Sequence, residues 1–402
     1  MPSYSPRIRI VFVLTALTLG GAEMMLWKLL SRIDRRRFDP HVIGLSSRAD
    51  TMLDRFRQID VPCELLGMHP RLDASWRVWR LARALRKLKP DIVQGWLYHG
   101  NVAATLAAAV TRTNGPVMWN IRGTLPSPAE KNWRSSLIIR LSGLLSPTPA
   151  RIINNSVASA AEHETQLGYP ARLAVVLPNG FDTDVFCPSD DARAGLRAEC
   201  GISAETLVVG LVGRYHAMKD HANFLRAAAV VNELHPDLHY VLAGAKVDSE
   251  NAELSALISQ LGVGKKVHML GCRHDMERVT AGLDVACSSS AYGEGFPNVI
   301  GEAMSCAVPC VVTDVGDSAR IVADTGKVVP PRQPLALARA LAEMVEAGKE
   351  TRKALGARAR ERIIQHFSLD AIARQYEELY TRVCHEHAGR FVLSASVTPD
   401  ER

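Results

Sequence analysis

The chain has no cysteine framework. Its eight cysteines, at 63, 187, 200, 272, 287, 306, 310 and 384, contain no CxxC pair. That excludes a disulfide-stapled scaffold and the common structural zinc spacings, and it suits a reducing cytoplasm. Long apolar runs are also missing, since nothing approaches the roughly 20 apolar residues needed to span a bilayer. There is no low-complexity tract and no short-period repeat, which excludes linker-like and solenoid chains. No Gly-x-Gly-x-x-Gly follows either candidate first strand, which argues against a nicotinamide oxidoreductase. Aromatics make up only 6% of the chain. No aromatic-interleaved basic motif or known nucleic-acid module stands out, so nucleic acid is not an expected partner.

What is present is an ordinary globular composition. The hydrophobic fraction is 47% and the charged fraction 22% over 402 residues, enough for two or three domains with substantial cores. Charge is uneven. Residues 1–190 hold 24 Lys/Arg against 15 Asp/Glu, and the remainder 24 against 27, for a net +6. A basic N-terminal half suits a peripheral contact with anionic lipid or an anionic acceptor. Arg77, Arg80, Arg83 and Lys87 line one helix face, with Arg35-Arg36-Arg37 as a second patch. Solvated helix faces explain the same residues.

The N-terminus, Arg7-Ile8-Arg9 followed by Ile10 to Leu19, imitates a signal peptide. The pattern that follows favours a buried strand instead. Gly20-Gly21-Ala22-Glu23 makes a turn, and Leu26, Leu29, Leu30 and Ile33 recur at helical spacing.

Short apolar runs then alternate with helical patterns. The expected strands are Arg9–Leu14, His41–Leu45, Asp91–Gln94, Val117–Ile121, Arg151–Asn154 and Ala174–Leu177. A second series comprises Leu207–Val212, Tyr240–Ala243, Val267–Leu270, Val285–Cys287, Cys310–Thr313 and Lys327–Val329. Such alternation implies parallel sheets covered by helices on both faces. The expectation is an α/β chain of two doubly wound Rossmann-like domains, residues 1–185 and 186–366. A last helix at 367–388 would cross back toward the first domain, and 389–402 would form a loosely ordered tail. In such sheets ligands sit beyond the carboxyl ends of the strands. Gly20-Gly21, His99, Arg122, Asn179-Gly180, Arg214 and residues 293–302 all fall there, and facing sheets would gather them around an interdomain cleft.

The most informative string is Gly293-Glu294-Gly295-Phe296-Pro297-Asn298-Val299-Ile300-Gly301-Glu302-Ala303-Met304. Pro297 suits the first position of a helix, and Val299, Ile300, Ala303 and Met304 continue as its apolar face. A helix start offers unpaired N–H groups to phosphate. Glu294 and Glu302 would flank it and accept hydrogen bonds from hydroxyls. Diphosphate beside hydroxyls describes a nucleotide sugar, although paired acids at a helix start also serve plain capping. Upstream, Val209-Gly210-Leu211-Val212-Gly213-Arg214 ends a strand in an arginine, with Lys219-Asp220 five residues on. Such an Arg and Lys can neutralise a diphosphate, although lone surface cations are ordinarily just solvated.

Glu-Gly-Phe-Pro-Asn-x4-Ala-Met, followed by Val308-Pro309-Cys310-Val311-Val312-Thr313-Asp314-Val315-Gly316, resembles the signature of the retaining group 1 (family 4) glycosyltransferases. The resemblance implies the two-domain GT-B fold and retaining sugar transfer from a UDP- or GDP-sugar to a glycan or lipid-linked saccharide, in cell-surface polysaccharide synthesis. It gives Arg214 and Lys219 the leaving diphosphate, Glu294 the donor sugar and Glu302 the ribose. It further places Gly20, Gly21, Gly295, Phe296, Pro297 and Asn298 along the donor, and implies no cofactor and no metal. Asn179-Gly180-Phe181-Asp182 resembles the family's interdomain string, which explains Asp182-Thr183-Asp184 without a metal. Leu270-Gly271-Cys272-Arg273-His274-Asp275-Met276 resembles the loop bordering the base.

The chain departs from the family in places. Arg122 stands where many members carry a histidine, Asp317 where a second glycine is common, and Arg320 where a Glu is common. His99 is the other N-terminal candidate for catalysis, on the acceptor side. An epimerase or phosphorylase on the same fold, and a non-catalytic partner subunit, are the rival readings. The expected location is cytoplasmic, at the inner face of the cell membrane if the basic half engages lipid.

Overall fold

The computed structural model describes residues 7–68, 74–111, 115–126 and 133–395. Two compact units emerge, one comprising Met1–Gly180 with Ile372–Arg402, the other Phe181–Ala371.

The first unit alternates strand and helix from the start. It opens with β1 (Ile8–Leu14), α1 (Gly21–Arg32), β2 (Phe38–Gly44), α2 (Thr51–Gln58) and β3 (Cys63–Leu65). Next come α3 (Ala74–Leu88), β4 (Ile92–Gly95), α4 (Leu97–Thr111), β5 (Val117–Ile121) and α5 (Trp133–Leu145). The series closes with β6 (Arg151–Asn154), α6 (Val157–Leu167) and β7 (Ala174–Val176). The seven strands form one sheet in the order β3-β2-β1-β4-β5-β6-β7, with every pair parallel. The N-terminal run is therefore a central buried strand. Its Val11 and Val13 join Leu81 and Leu85 of α3 on one face, while Phe12, on the other, packs edge-on to Trp96 and Tyr380.

The second unit begins with α7 (Asp190–Cys200), β8 (Val208–Val212), α8 (His221–Leu234), β9 (His239–Ala243), α9 (Ala252–Gln260) and β10 (Val267–Met269). It continues through α10 (Met276–Ala281), β11 (Val285–Ser288), α11 (Asn298–Ser305), β12 (Cys310–Thr313), α12 (Ser318–Val322) and β13 (Lys327–Val329). Helices α13 (Pro334–Glu346) and α14 (Gly348–His366) follow, and α15 (Leu369–Ala395) ends the described chain. The six strands run parallel in the order β10-β9-β8-β11-β12-β13. Alternate residues of each strand enter opposite cores, Val209, Leu211, Tyr240 and Leu242 in one, Val208, Val241, Ala243 and Val312 in the other. Burial on both faces is what makes these strands read as continuous apolar runs.

The chain passes between units at Gly180, somewhat before residue 185. Phe181 marks the change because its ring lies in the second unit's core. Its backbone N–H donates to the carbonyl of Phe367 at 2.8 Å. Helix α15 starts in the second unit and from Ile372 belongs to the first. There the Asp34 N–H donates to Glu377 at 2.7 Å and the Tyr380 hydroxyl bonds Gln94 at 2.5 Å. The helix runs to Ala395, past the expected loosening at 389, and residues 396–402 lie outside the described residues. Strand β3, three residues long, is the element the apolar pattern did not foretell. Among the described residues no helix is long and apolar enough to cross a membrane.

Candidate functional site

In each sheet the strand order reverses once, between β1 and β4 in the first and between β8 and β11 in the second. Crevices at such reversals, beyond the carboxyl ends of the strands, are where ligands bind in open α/β sheets.

In the second unit the loops after β8, β11 and β12 close on one another there. The Lys219 ammonium donates to Glu294 Oε1 at 2.5 Å, and both side chains are largely buried. Ser290 donates its hydroxyl to the same oxygen at 2.8 Å. Ser289 donates to the carbonyls of Lys219 and Asp220 at 2.8 and 3.0 Å, and the Ala291 N–H donates to the Met218 carbonyl at 2.8 Å. The β12 loop joins through Asp317, whose N–H donates to the Gly295 carbonyl at 2.9 Å. Gly316, at φ +61°, permits this approach, because a Cβ there would lie 2.3 Å from the Glu294 carbonyl oxygen. Asp317 is itself buried and paired with Arg320 at 3.0 Å, so the two departures from the family pattern form one local ion pair.

Arg214 is exposed and has no ion-pair partner among the described residues. A free guanidinium beside a lysine already holding a carboxylate is an arrangement an incoming anion can enter. Behind them His221, the first residue of α8, is buried at 2% exposure. Neither ring nitrogen makes a well-formed hydrogen bond among the described residues. Burial pushes its pKa down to about 4, the nearby Lys219 adds to this, and the Gly213 backbone opposes it only in part. The ring is therefore neutral at pH 7.

Helix α11 starts one residue later than the sequence suggested, with Pro297 as its extended N-cap rather than its first turn. Phe296 turns its ring into the core against Phe181 and Phe367, at 6.0 and 5.6 Å between centroids. It can therefore offer a ligand only backbone. Asn298 is exposed at the helix start, Gly295 is buried in the loop, and Glu302 sits half-buried one turn along. Gly301 lets the outer end of the Phe181 ring pack closely on the helix, since a Cβ there would stand 2.1 Å from its Cζ. In the loop at 270–276 Arg273 is occupied by Asp275 and Glu199, at 2.7 and 2.5 Å.

The first unit's reversal is built differently. Gly20 is the extended N-cap of α1, and the preceding Leu19 N–H donates to Asp50 at 2.8 Å. A Cβ on Gly20 would meet the Glu23 carboxylate at 2.5 Å, whereas Gly21 faces open space. Burial raises the Glu23 pKa, with a smaller contribution from Asp50, against its own backbone N–H. Across the crevice the Trp96 indole donates to the Ala22 carbonyl at 3.1 Å. Gly100 packs on the Val13 carbonyl, 2.2 Å from where a Cβ would be. His99 is exposed on the first turn of α4. Its neighbour Tyr98 is anchored, donating at 2.6 Å to Nε2 of buried His163, whose Nδ1–H donates to the Ser159 carbonyl at 2.7 Å.

Arg122 follows β5 and is held from three directions. It donates to the Tyr376 hydroxyl at 3.1 Å and to the Asn179 side-chain oxygen, and its Cζ lies 5.5 Å from the Trp96 ring centroid. Tyr376 also accepts from Asn120 at 3.0 Å. The sequence reading missed Tyr376 and Ser290. Ser290 stands four residues before Glu294, just upstream of the string already singled out. Tyr376 carried no signal of its own. Asp182 turns the chain by accepting the N–H groups of Asp184 and Val185, each at 3.2 Å. Among the described residues no group of three or more His, Cys, Asp or Glu could hold a metal ion.

The family model described as "Glycosyl transferases group 1" matches residues 193–362, and "Glycosyltransferase Family 4" matches residues 19–185. The chain belongs to the group 1 / family 4 glycosyltransferases. The two matches fall one on each unit; the second begins after β1, at the Gly20-Gly21 turn, and the first takes in the reversal between β8 and β11. Among curated relatives of this chain, D-inositol 3-phosphate glycosyltransferase of Mycolicibacterium gilvum is 34% identical over 203 residues, 47% of this chain and 44% of that one. Alpha-maltose-1-phosphate synthase of Mycolicibacterium smegmatis is 32% identical over 247 residues, 57% and 62% of the two chains. The putative glycosyltransferase EpsF of Bacillus subtilis is 33% identical over 144 residues, 35% of each. The matched stretches thus span about a third to three-fifths of these relatives' own lengths. Among solved structures, Anabaena HepE in complex with UDP superposes with a TM-score of 0.81 at 24% identity, over 93% of this chain and all of that one. WaaG, a lipopolysaccharide glycosyltransferase, gives 0.65 at 15%, over 92% and 99%. The fold is GT-B.

Proposed function

We propose that the protein transfers a sugar, with retention of anomeric configuration, from a nucleoside diphosphate sugar to a hydroxyl of a glycan or lipid-linked saccharide, in the making of a cell-surface polysaccharide. The observation that carries this reading is the second unit's crevice, where Lys219, Ser290 and Glu294 meet beside exposed Arg214 and the start of α11. HepE, of the same fold, is solved with UDP and with UDP-glucose, which supports a UDP-sugar as donor; a GDP-sugar is the second choice.

In the proposed reaction the bond between the anomeric carbon and the β-phosphate oxygen breaks, and a bond from that carbon to the acceptor oxygen forms. The diphosphate leaves with the bonding electrons, and the acceptor's proton passes to it on the same face. Arg214, as a bidentate donor, and Lys219, as a point charge, meet the charge that grows on the leaving group. The N–H groups of α11 add to this, and these cations do the work a divalent ion does elsewhere. Engagement of the diphosphate draws Lys219 from Glu294, whose carboxylate, still held by Ser290, then accepts hydroxyls of the donor sugar. Glu302 accepts those of the ribose. In the first unit the Gly20-Gly21 turn would approach the donor's phosphate and reacting sugar, Arg122 would stand close to that sugar, and His99 would line the acceptor side.

A glycosyl transfer assay on the purified chain, with UDP-sugars tested before GDP-sugars, is the test. Glu294→Gln is expected to abolish most transfer while UDP still binds. Unchanged transfer by that variant would refute the assignment, and conversion of the donor without an acceptor would favour the epimerase.

A further inference from the structure

Helices α3 and α5 flank α4 in one layer over the first sheet. Each turns a stripe of large apolar side chains to solvent. On α3, Trp76 and Trp79 are 43% and 49% exposed, while Leu81, Ala82, Ala84 and Leu85 face the core. On α5, Trp133, Leu137 and Leu144 are 72%, 58% and 79% exposed, with exposed Arg140 among them. All three exposed tryptophans of the chain's six lie on these two helices.

Charge follows the same face. Helix α3 carries Arg77, Arg80, Arg83, Arg86 and Lys87 and no acidic residue, and α5 has no acidic residue either. The Arg80 guanidinium lies 4.9 Å from the Trp76 ring centroid and that of Arg83 5.8 Å from Trp79. The other basic patch contrasts with this. Arg36 pairs with Asp34, and Arg37 with Glu377, at 3.1 and 3.4 Å. From sequence Arg77, Arg80, Arg83 and Lys87 suit either an anionic lipid contact or a solvated helix face; the structure adds exposed Trp76 and Trp79 to that helix.

We propose that the outer face of α3 and α5 docks on an anionic lipid bilayer. Tryptophan prefers the headgroup level, where its ring is half in hydrocarbon and its N–H is wet. Leu137 and Leu144 reach the acyl boundary, and arginines stacked on the indoles meet lipid phosphates from the same stripe. A nucleic acid would satisfy the cations and stack on tryptophan, yet it would leave both leucines in water. The face lies flat on the membrane, held by apolar contact and by charge that salt screens. This surface is independent of the donor chemistry, so Lys219→Ala leaves vesicle binding unchanged whatever it does to transfer.

Sedimentation of the full chain with phosphatidylcholine vesicles containing about one-third phosphatidylglycerol, against phosphatidylcholine alone, tests the proposal. Expected is binding to the anionic vesicles only, lost at high salt, with a blue shift of tryptophan emission. Trp76→Ala with Trp79→Ala weakens it about tenfold, and Arg83→Gln and Arg86→Gln about fivefold each. Arg36→Gln, in the paired patch, changes little. If the tryptophan variant melts early, the arginine variants decide. Absence of vesicle binding, binding unaffected by these substitutions, or binding only to a single-stranded oligonucleotide would overturn the proposal.

Discussion

The two units place their candidate residues at the same topological position and build it from opposite materials. In the second, the crevice holds charge: Lys219 against Glu294, with Arg214 exposed beside them. In the first, the cation Arg122 is pinned among an amide, a phenol and an indole. On the proposed reading the second site exchanges an internal carboxylate for a ligand's phosphate. The first is fixed before any ligand arrives. One half is suited to gripping and releasing an anion, the other to presenting a rigid surface.

Removing the second site's cation is the strongest way to break this contrast. Lys219→Ala is expected to slow sugar transfer roughly 10²–10³-fold, the range for losing one preorganised charge at a developing anion. Steady-state rates with saturating donor check it, and a loss under tenfold would place the burden elsewhere. Gly301→Ala acts on the same site from behind. The new methyl meets the Phe181 ring, which costs about 1–3 kcal/mol and tilts the start of α11. Thermal unfolding and UDP affinity should both fall, and a variant that kept both would deny that Phe181 seats the helix.

The pH dependence of stability separates the units further. His221 has its pKa held near 4 in the fold, against about 6.5 when unfolded. Between those values the unfolded chain binds more protons, so stability is full above about pH 6.5 and falls as pH drops towards 4. The loss should reach about 2 kcal/mol by pH 5. Denaturant melts of the native chain and His221→Phe across that window should show the variant flattening the slope. Parallel curves would remove the histidine from the account.

The smallest effect is expected in the first unit. Tyr376→Phe removes the hydroxyl that meets Arg122 and Asn120, a loss of about 1.5 kcal/mol for a bond to a charged group. It should lower kcat/KM roughly tenfold with UDP affinity intact. A fall in UDP affinity instead would contradict the division of labour.

How legible each half was follows from the same contrast. In the second unit Glu294 and Ser290 are four residues apart and Lys219 ends the loop of the neighbouring strand. Short-range strings therefore carried the chemistry, and the parallel strands announced themselves as unbroken apolar runs. Arg122 was visible as a residue but not as a fixed one, because Tyr376 lies 254 positions away on the final helix. Phe296 and Pro297 were read as lining residues. The core claims the ring of the first and the N-cap position the second, and no spacing rule separates such backbone uses from side-chain contacts. Strand β3, of three residues, is too short to show a period.

The most direct measurement is titration calorimetry of the whole chain with UDP and with GDP, beside the Arg214→Ala and Lys219→Ala variants. Binding of one nucleotide, weakened in both variants and unaffected by Arg122→Ala, is the predicted result. Heat that persists unchanged in the Arg214 and Lys219 variants, or no heat with either nucleotide, would contradict the claim that the second crevice grips a pyrophosphate.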